Sequence, residues 1–343
     1  MGRRCYRTAL RAAVRRGAAP PRPMPAADNA AMHLLIPFAA PLSDAGRQVA
    51  ATLTLPNLQA LLARWTEVQR DSADELSLSP PHERALALAL GLQGASGLLP
   101  WAARNARADG IAPADLADLA WGQLTPAHWR LGTEQISLFD PVALMLDEAE
   151  SRALFDAVQP LFTSEGFAMH YGAPLRWYVA HESLATLATP SLDRVIGRNV
   201  DAWLGKDPAA RRIRRLQAEV QMQLYTHPLH DARTARGLPP VNSFWLSGCG
   251  PAQADAGPAP QVDDRLRRCA LAEDWAAWVK AWDTLDEGPL AELRAAAEGG
   301  APSSITLCGE RAWVRFEPTP RSLMQRARSL WSPALPAAVL ETL

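Results

Sequence analysis

The chain has 343 residues, 48% of them hydrophobic, with 35 basic and 36 acidic side chains. That length suits two domains or one large domain with an insertion, and that apolar content excludes wholesale disorder. Only Lys206 and Lys280 are lysines, so anion recognition would rest on the thirty-three arginines. Cys5, Cys249, Cys269 and Cys308 show no C-x-x-C spacing, which points to free thiols in a reducing, cytoplasmic setting. No apolar run approaches the ~20 residues of a membrane helix, so no membrane partner is expected.

Residues 1–31 carry seven arginines and one acid, Asp28, and no apolar centre of a secretory signal. They are expected to be disordered, or an over-long gene start with the true initiator at Met32. A transit peptide or a nucleic-acid arm is the alternative. Without them the charge is 28 basic against 35 acidic, a poor balance for general nucleic-acid binding.

Met32 to Phe38 reads as a buried strand leading into a loop through Pro41. Leu55-Pro56-Asn57 introduces a helix with Leu58, Leu61, Leu62 and Trp65 on one face. Arg70 to Pro81 reads as a polar loop, and Pro81 to Leu92 as a helix broken by Gly94 and Gly97. Pro113 to Trp121 opens helically. Trp129 and Leu131 with Ile136 and Leu138 predict paired strands about Gly132.

Asp147 to Glu165 is an amphipathic helix with Leu146, Ala149, Leu154, Val158 and Leu161 inward. Phe167 to Ala180 predicts a hairpin, and Leu192 to Trp203 and Ala209 to Tyr225 predict helices. The second carries Arg211, Arg212, Arg214 and Arg215 on a solvated side. After a helix end at Arg236-Gly237 and a stiff Pro239-Pro240 turn comes a buried strand, Val241 to Leu246. Gly248 and Gly250 then let backbone approach something closely.

A loop over Gln253 to Gln261 precedes helices at Leu271 to Leu285 and Leu290 to Glu298. Trp275, Trp278 and Trp282 form one apolar stripe, expected to be core. Ile305 to Cys308 and Trp313 to Phe316 predict a closing hairpin, and a peripheral helix is expected over 326–343. Together these predict an α/β fold: a central sheet with helices on both faces and an inserted α+β unit. The core is placed at 32–120 and 190–325 and the insertion at 121–189.

Several constellations carry chemistry. His227, His230 and Asp231 form H-x-x-H-D, able to share a metal or simply to cap a turn. His181-Glu182 is a similar pair. Cys249 between two glycines is either a reactive thiol, with His227 or His230 as base, or an inert buried one. Arg194 and Arg198, with Arg233 and Arg236, either surround an anion or pair with Asp193, Asp201 or Asp231.

From His227 to Gly250 the residues follow HP-x-x-x-x-R-x-x-x-G-x-x-x-x-N-x-x-W-L-x-G-x-G. This order resembles a passage in the archaeal-type, cofactor-independent phosphoglycerate mutases of the alkaline phosphatase superfamily. It is also similar to the RpfE-type regulatory proteins of proteobacteria. Leu55-Pro56-Asn57-Leu58-Gln59-Ala60-Leu61 resembles the mutases' T-P-N-L-D-x-L, and the likeness runs over Met32 to Gly250. It implies the mutase-like sheet, two divalent metals and a serine nucleophile. The first strand nevertheless ends in Phe38-Ala39-Ala40 instead of Asp-Gly. The nucleophile region reads Ser79-Pro80-Pro81-His82-Glu83-Arg84-Ala85, where Ser77 or Ser79 could stand in. No histidine follows His230, and the late metal strand reads Ile305-Thr306-Leu307-Cys308-Gly309-Glu310.

The expectation is therefore a regulatory or ligand-binding protein on a degenerate mutase-like scaffold, without cofactor. A small anionic ligand or a protein partner would sit near Arg194, Arg198, Arg233, Arg236, Asn242, Trp245, Gly248 and Gly250. The alternative is a phosphoglycerate mutase or metal-dependent phosphohydrolase using Mn or Zn. Its relocated ligands would come from His82, Glu83, His181, Glu182, His227 and His230, and the catalytic candidates are Ser79, His227 and Cys249.

Overall fold

A computed structural model describes residues 31–111, 118–133, 135–205, 208–318 and 335–343. The readings of 1–30, of the helix opening at Pro113 and of 326–334 lie outside these residues.

Elements follow in chain order. They begin with β1 (Met32–Ile36), α1 (Asp44–Ala50), α2 (Pro56–Leu62), β2 (Trp65–Ser72), α3 (Pro81–Leu90) and α4 (Trp101–Ala108). Next come β3 (Ala120–Ala127), β4 (Trp129–Leu131), β5 (Ile136–Leu138), α5 (Glu148–Ser164), β6 (Ala168–Ala173) and β7 (Arg176–Ala180). Then follow α6 (Leu192–Val195), α7 (Pro208–Tyr225), α8 (Pro228–Ala235), β8 (Ser243–Pro251), β9 (Gln261–Val262) and α9 (Arg265–Leu271). The last are α10 (Trp275–Leu285), α11 (Ala291–Glu298), β10 (Ser303–Cys308), β11 (Ala312–Pro318) and α12 (Pro336–Leu340).

The architecture is α/β. A five-stranded mixed sheet has the order β2-β11-β10-β1-β9, with β1 parallel to β10 and β9. Period-two alternation sorts its side chains to two faces. Leu34 and Ile36 of β1 join Ile305, Leu307 and Val314 under Trp278, Trp282 and Leu293 of α10 and α11. Leu35 turns to the opposite face, with Cys308, Trp313 and Ala85 of α3. Helices thus cover both faces. Trp278 and Trp282 are fully buried and meet edge to face, with ring centroids 6.0 Å apart.

A second, antiparallel sheet has the order β6-β7-β3-β8, and α5 and α7 pack on it. The strand expected over Val241 to Leu246 is therefore longer and runs on through Gly248 and Gly250. It pairs with β3 from Ala120↔Pro251 to Ala127↔Ser243. No helix among the described residues is long and apolar enough to cross a membrane.

Four expectations need correction. The polar loop begins later than Arg70, because Trp65–Ser72 is a strand at the sheet edge. Most of its residues are exposed, so it lacks the alternation that reveals a half-buried strand. Trp121 belongs to β3 and not to a helix. The helix over Leu192 to Trp203 stops after one turn at Val195, since Gly197 sits at φ 75° and Ile196 bridges to Leu138. The described end of the last segment is not peripheral. Leu340 and Leu343 are buried in the main core, and the Leu343 carbonyl accepts from Arg311 and Ala312.

Asp286, 2% exposed, explains the Pro56-Asn57-Leu58 motif in structural terms. Leu55 offers α2 no side-chain cap. The Asp286 carboxylate accepts from the Leu58 N–H at 2.8 Å and the Asn57 N–H at 3.0 Å. A charged acceptor from a distant helix thus satisfies donors that a helix start leaves open. Asp286→Ala is expected to cost about 2–3 kcal/mol in a urea denaturation, since it strands buried donors. A loss below about 0.5 kcal/mol would contradict this capping role.

Candidate functional site

In an open α/β sheet, ligands bind beyond the carboxyl ends of the parallel strands. Here β1 and β10 end level with each other, and the Ala39 N–H donates to the Cys308 carbonyl at 2.7 Å. Between them Phe38 is held at φ 55°, a costly conformation for an aromatic residue. Its carbonyl accepts from Trp278 Nε1 at 3.1 Å, and its ring centroid lies 5.0 Å from that of His82. The start of α3, the short α6 and the turn after β10 converge on this place.

Arg194 is its hub, 1% exposed. Nη1 donates to the Glu310 carbonyl at 3.0 Å and lies 3.5 Å from its carboxylate, while Nη2 donates to Ser77 Oγ at 2.9 Å. Arg194 Nε is buried with no hydrogen-bond partner among the described residues. Arg198, 38% exposed, reaches the same Glu310 carboxylate at 3.2 Å. Burial pushes the Arg194 pKa down to about 10 against the pull of Glu310, so it stays protonated at neutral pH.

Two carboxylates lie beside it. Glu83 Oε1 accepts from Ser191 Oγ at 2.5 Å, and burial pushes this carboxyl above its ordinary range despite His82 and that hydrogen bond. Burial also acts to raise Asp193. The hydrogen bond from His82 Nε2 at 3.2 Å and the Arg267 guanidinium outweigh it and hold Asp193 well below the usual carboxylate range. The two environments drive neighbouring acids apart.

Ser79, the expected nucleophile position, is 2% exposed and already engaged. Its Oγ accepts from the Gly97 N–H at 2.8 Å, and its carbonyl accepts from Arg84 at 2.7 Å. An open cleft of ≈ 390 Å³ adjoins the cluster, lined by Phe38, Pro41, Arg198, Trp275 and Glu310 among others.

The other sequence candidates fall elsewhere. Arg233 and Arg236 do not join Arg194 and Arg198 on one partner; they close on Glu150, and Arg233 also donates to the Leu144 and Pro239 carbonyls. Arg194 and Arg198 close on Glu310, so neither pair is met by the aspartates proposed as competitors. Asn242 makes a two-way bond to the Trp129 backbone at 2.8 and 3.0 Å. Trp245 is 2% exposed, with Nε1 on the Pro190 carbonyl.

What approaches Gly248 is the chain itself. A Cβ there would lie 3.0 Å from the Ala102 nitrogen and Trp101 Cβ, and at Gly250 3.1 Å from the Leu98 carbonyl oxygen. The cavity touching Trp245 and Leu246 measures only ≈ 40 Å³, room for about one water. The cleft expected beside Asn242 to Gly250 is therefore filled by α4 and its approach.

Cys249 is fully buried and its thiol is pushed up to about 12, which contradicts a reactive thiolate. His227 caps α8 by accepting from the Leu229 N–H, His230 Nδ1 is buried with no hydrogen-bond partner among the described residues, and Asp231 is exposed. His181 likewise caps the turn at Glu182–Ala185, stacked on Phe167 at 4.5 Å.

The two-metal clamp needs acids and histidines at the ends of β1 and β10. Phe38-Ala39-Ala40 and a Glu310 already bound by arginine do not fit it. Among the described residues no three His, Cys, Asp or Glu side chains are placed to share a metal ion. The roles of Glu310, Ser191 and Arg267 were missed in the sequence, and the available signal was position: Glu310 lies two residues past the end of β10, which pairs in parallel with β1.

No known protein family matches the chain, and no curated protein does. Among solved structures it is similar to the cofactor-independent phosphoglycerate mutase from Thermoplasma acidophilum DSM 1728. Identity is 15% and the TM-score 0.35, over 91% of this chain and 98% of that one. The PH0037 protein from Pyrococcus horikoshii gives 12% identity and a TM-score of 0.39, over 84% and 87%. Superpositions this loose carry no argument, and the fold rests on its own strand order and packing.

The Glu83 shift has a testable sign. A folded-state pKa above the ordinary 4.5 means that ionised Glu83 opposes folding, increasingly as pH rises through the folded value. Glu83→Gln keeps an acceptor for Ser191 and is expected to melt no lower than the parent at about pH 8. Its advantage should vanish near about pH 4. A clear fall in melting temperature at the higher pH would show that the charge is needed there.

Proposed function

We propose that this chain is a non-catalytic regulatory or ligand-binding protein on a degenerate mutase-like scaffold. Its ligand is a small anion entering the cleft beside Arg198 and Glu310. One observation carries the reading: at the carboxyl end of the sheet two guanidiniums converge on Glu310, one half-exposed and one buried with its Nε free of hydrogen-bond partners among the described residues. An anion can share or displace Glu310 there, because fork-shaped guanidinium donors suit phosphate and carboxylate alike. His82 is held by Asp193, Glu83 by Ser191, and the buried Ser79 Oγ by the Gly97 N–H.

A second reading, a phosphoglycerate mutase or phosphohydrolase with relocated residues, rests on Ser77. Its Oγ lies 2.9 Å from Arg194 Nη2 and 3.4 Å from Arg84 Nη1, so a phosphoryl group on it would meet two cations. Phosphoester turnover that Ser77→Ala abolishes would favour this reading over the first.

Titration calorimetry with inorganic phosphate decides the first. Saturable binding is expected, weakened roughly tenfold in Arg198→Gln, which loses a charge-assisted contact at the rim. Equal binding by the variant, or no binding by the parent, would overturn the assignment.

A further inference from the structure

A larger cleft of ≈ 840 Å³ lies between the β4–β5 hairpin with its following turn and α9 with the start of α10. Its size is that of a small-molecule site. Phe139, Val142 and Met145 give it an apolar wall, and Val142 and Met145 are 59% and 67% exposed. Large apolar side chains left in solvent around one concavity are a costly surface unless something covers them.

The charges lining the cleft are not evenly engaged. Asp140 and Asp274 each accept a backbone N–H, from Val142 and Ala277 at 3.0 Å. Arg130 lies over the Phe139 ring, 4.9 Å from its centroid, and has no carboxylate partner among the described residues. Arg268, exposed on α9, has none there either. Two uncommitted cations beside an apolar wall complement a molecule that is apolar at one end and negative at the other.

We propose that this cleft binds a small amphipathic anion, a carboxylate with an alkyl or aryl body. The cleft adjoins the phosphate-sized one, sharing Ile196, Gly197, Leu271 and Ala272, but its cations differ: Arg194 and Arg198 do not line it, and Arg130 and Arg268 do not line the other.

Cys269 lines the cleft and is partly exposed, while Cys249 and Cys308 are buried with their thiols pushed up by burial. In a full-length Cys5→Ser background, Cys269 is thus the expected fast thiol toward Ellman's reagent. Decanoate is expected to slow its modification saturably, by roughly tenfold or more, whereas decanol and inorganic phosphate are not. Adding Arg130→Gln and Arg268→Gln should remove the protection with the melting temperature unchanged, and Arg198→Gln should leave it intact.

Equal protection by decanol, or protection that survives loss of both arginines, would overturn the proposal. So would a Cys269 that grows unreactive with protein concentration alone, which would assign this face to a second copy of the chain.

Discussion

Arg194 lies almost wholly out of solvent at the carboxyl end of the five-stranded sheet, and a guanidinium buried there is tolerable only if it is bonded. Its bonds go to the Ser77 hydroxyl and to the Glu310 backbone and side chain, 117 and 116 residues away in the chain. One side chain therefore fastens the loop before α3, the single turn of α6 and the end of β10. Deleting Glu310 would leave the Arg194 charge uncompensated in a poorly hydrated place, which costs far more than losing a surface pair, whereas deleting Ser77 would strand one guanidinium donor. Arg84 repeats the device on the outer side of the loop, bridging Asp71, the Ser79 carbonyl and the Arg311 carbonyl.

That fastening decides what the sheet's end can do. Ser77, Ser79, His82, Glu83 and Asp193 occupy places where an α/β fold exposes its chemistry, yet each has a protein partner. His82 leans on Asp193, Glu83 on Ser191, and Ser79 on Gly97. A nucleophile needs a base and an open approach, and Ser79 is buried with its Oγ engaged by the Gly97 N–H and bonded to no base among the described residues. Positive charge remains, part-neutralised by Glu310 and facing a cleft. Recognition without turnover, the role proposed above, rests on that arrangement.

Much of the fold could be read from residue patterns. The helix over Glu148–Ser164 announces itself by Leu154, Val158 and a capping Asp147, and the hairpin at Ala168–Ala180 by its Gly172-Ala173-Pro174 turn. The edge strand Trp65–Ser72 was not legible, since exposed residues on both faces erase the period of two. The stretch from Leu192 to Trp203 reads as a helix because Leu192, Val195 and Ile196 have a helical apolar spacing. Tertiary bridges from Ile196 and Asn199 to the β5 region override that spacing.

The site was only half legible, for a related reason. Residue type singled out Arg194, Arg198, Arg233 and Arg236, but their shared partners are Glu310 and Glu150, brought in by folding from over eighty residues away. Gly248 and Gly250 correctly signalled a close approach. They could not say that the approaching group is the α4 backbone, because glycine reports available space and not its occupant.

Titration calorimetry of the whole protein with Mn²⁺, paired with an assay of phosphoester turnover, tests the central claim most directly. An arginine-bound, metal-poor strand end predicts no saturable binding of a metal pair and no turnover above background. Tight binding of about two ions with turnover would contradict it and restore two-metal phosphoryl transfer.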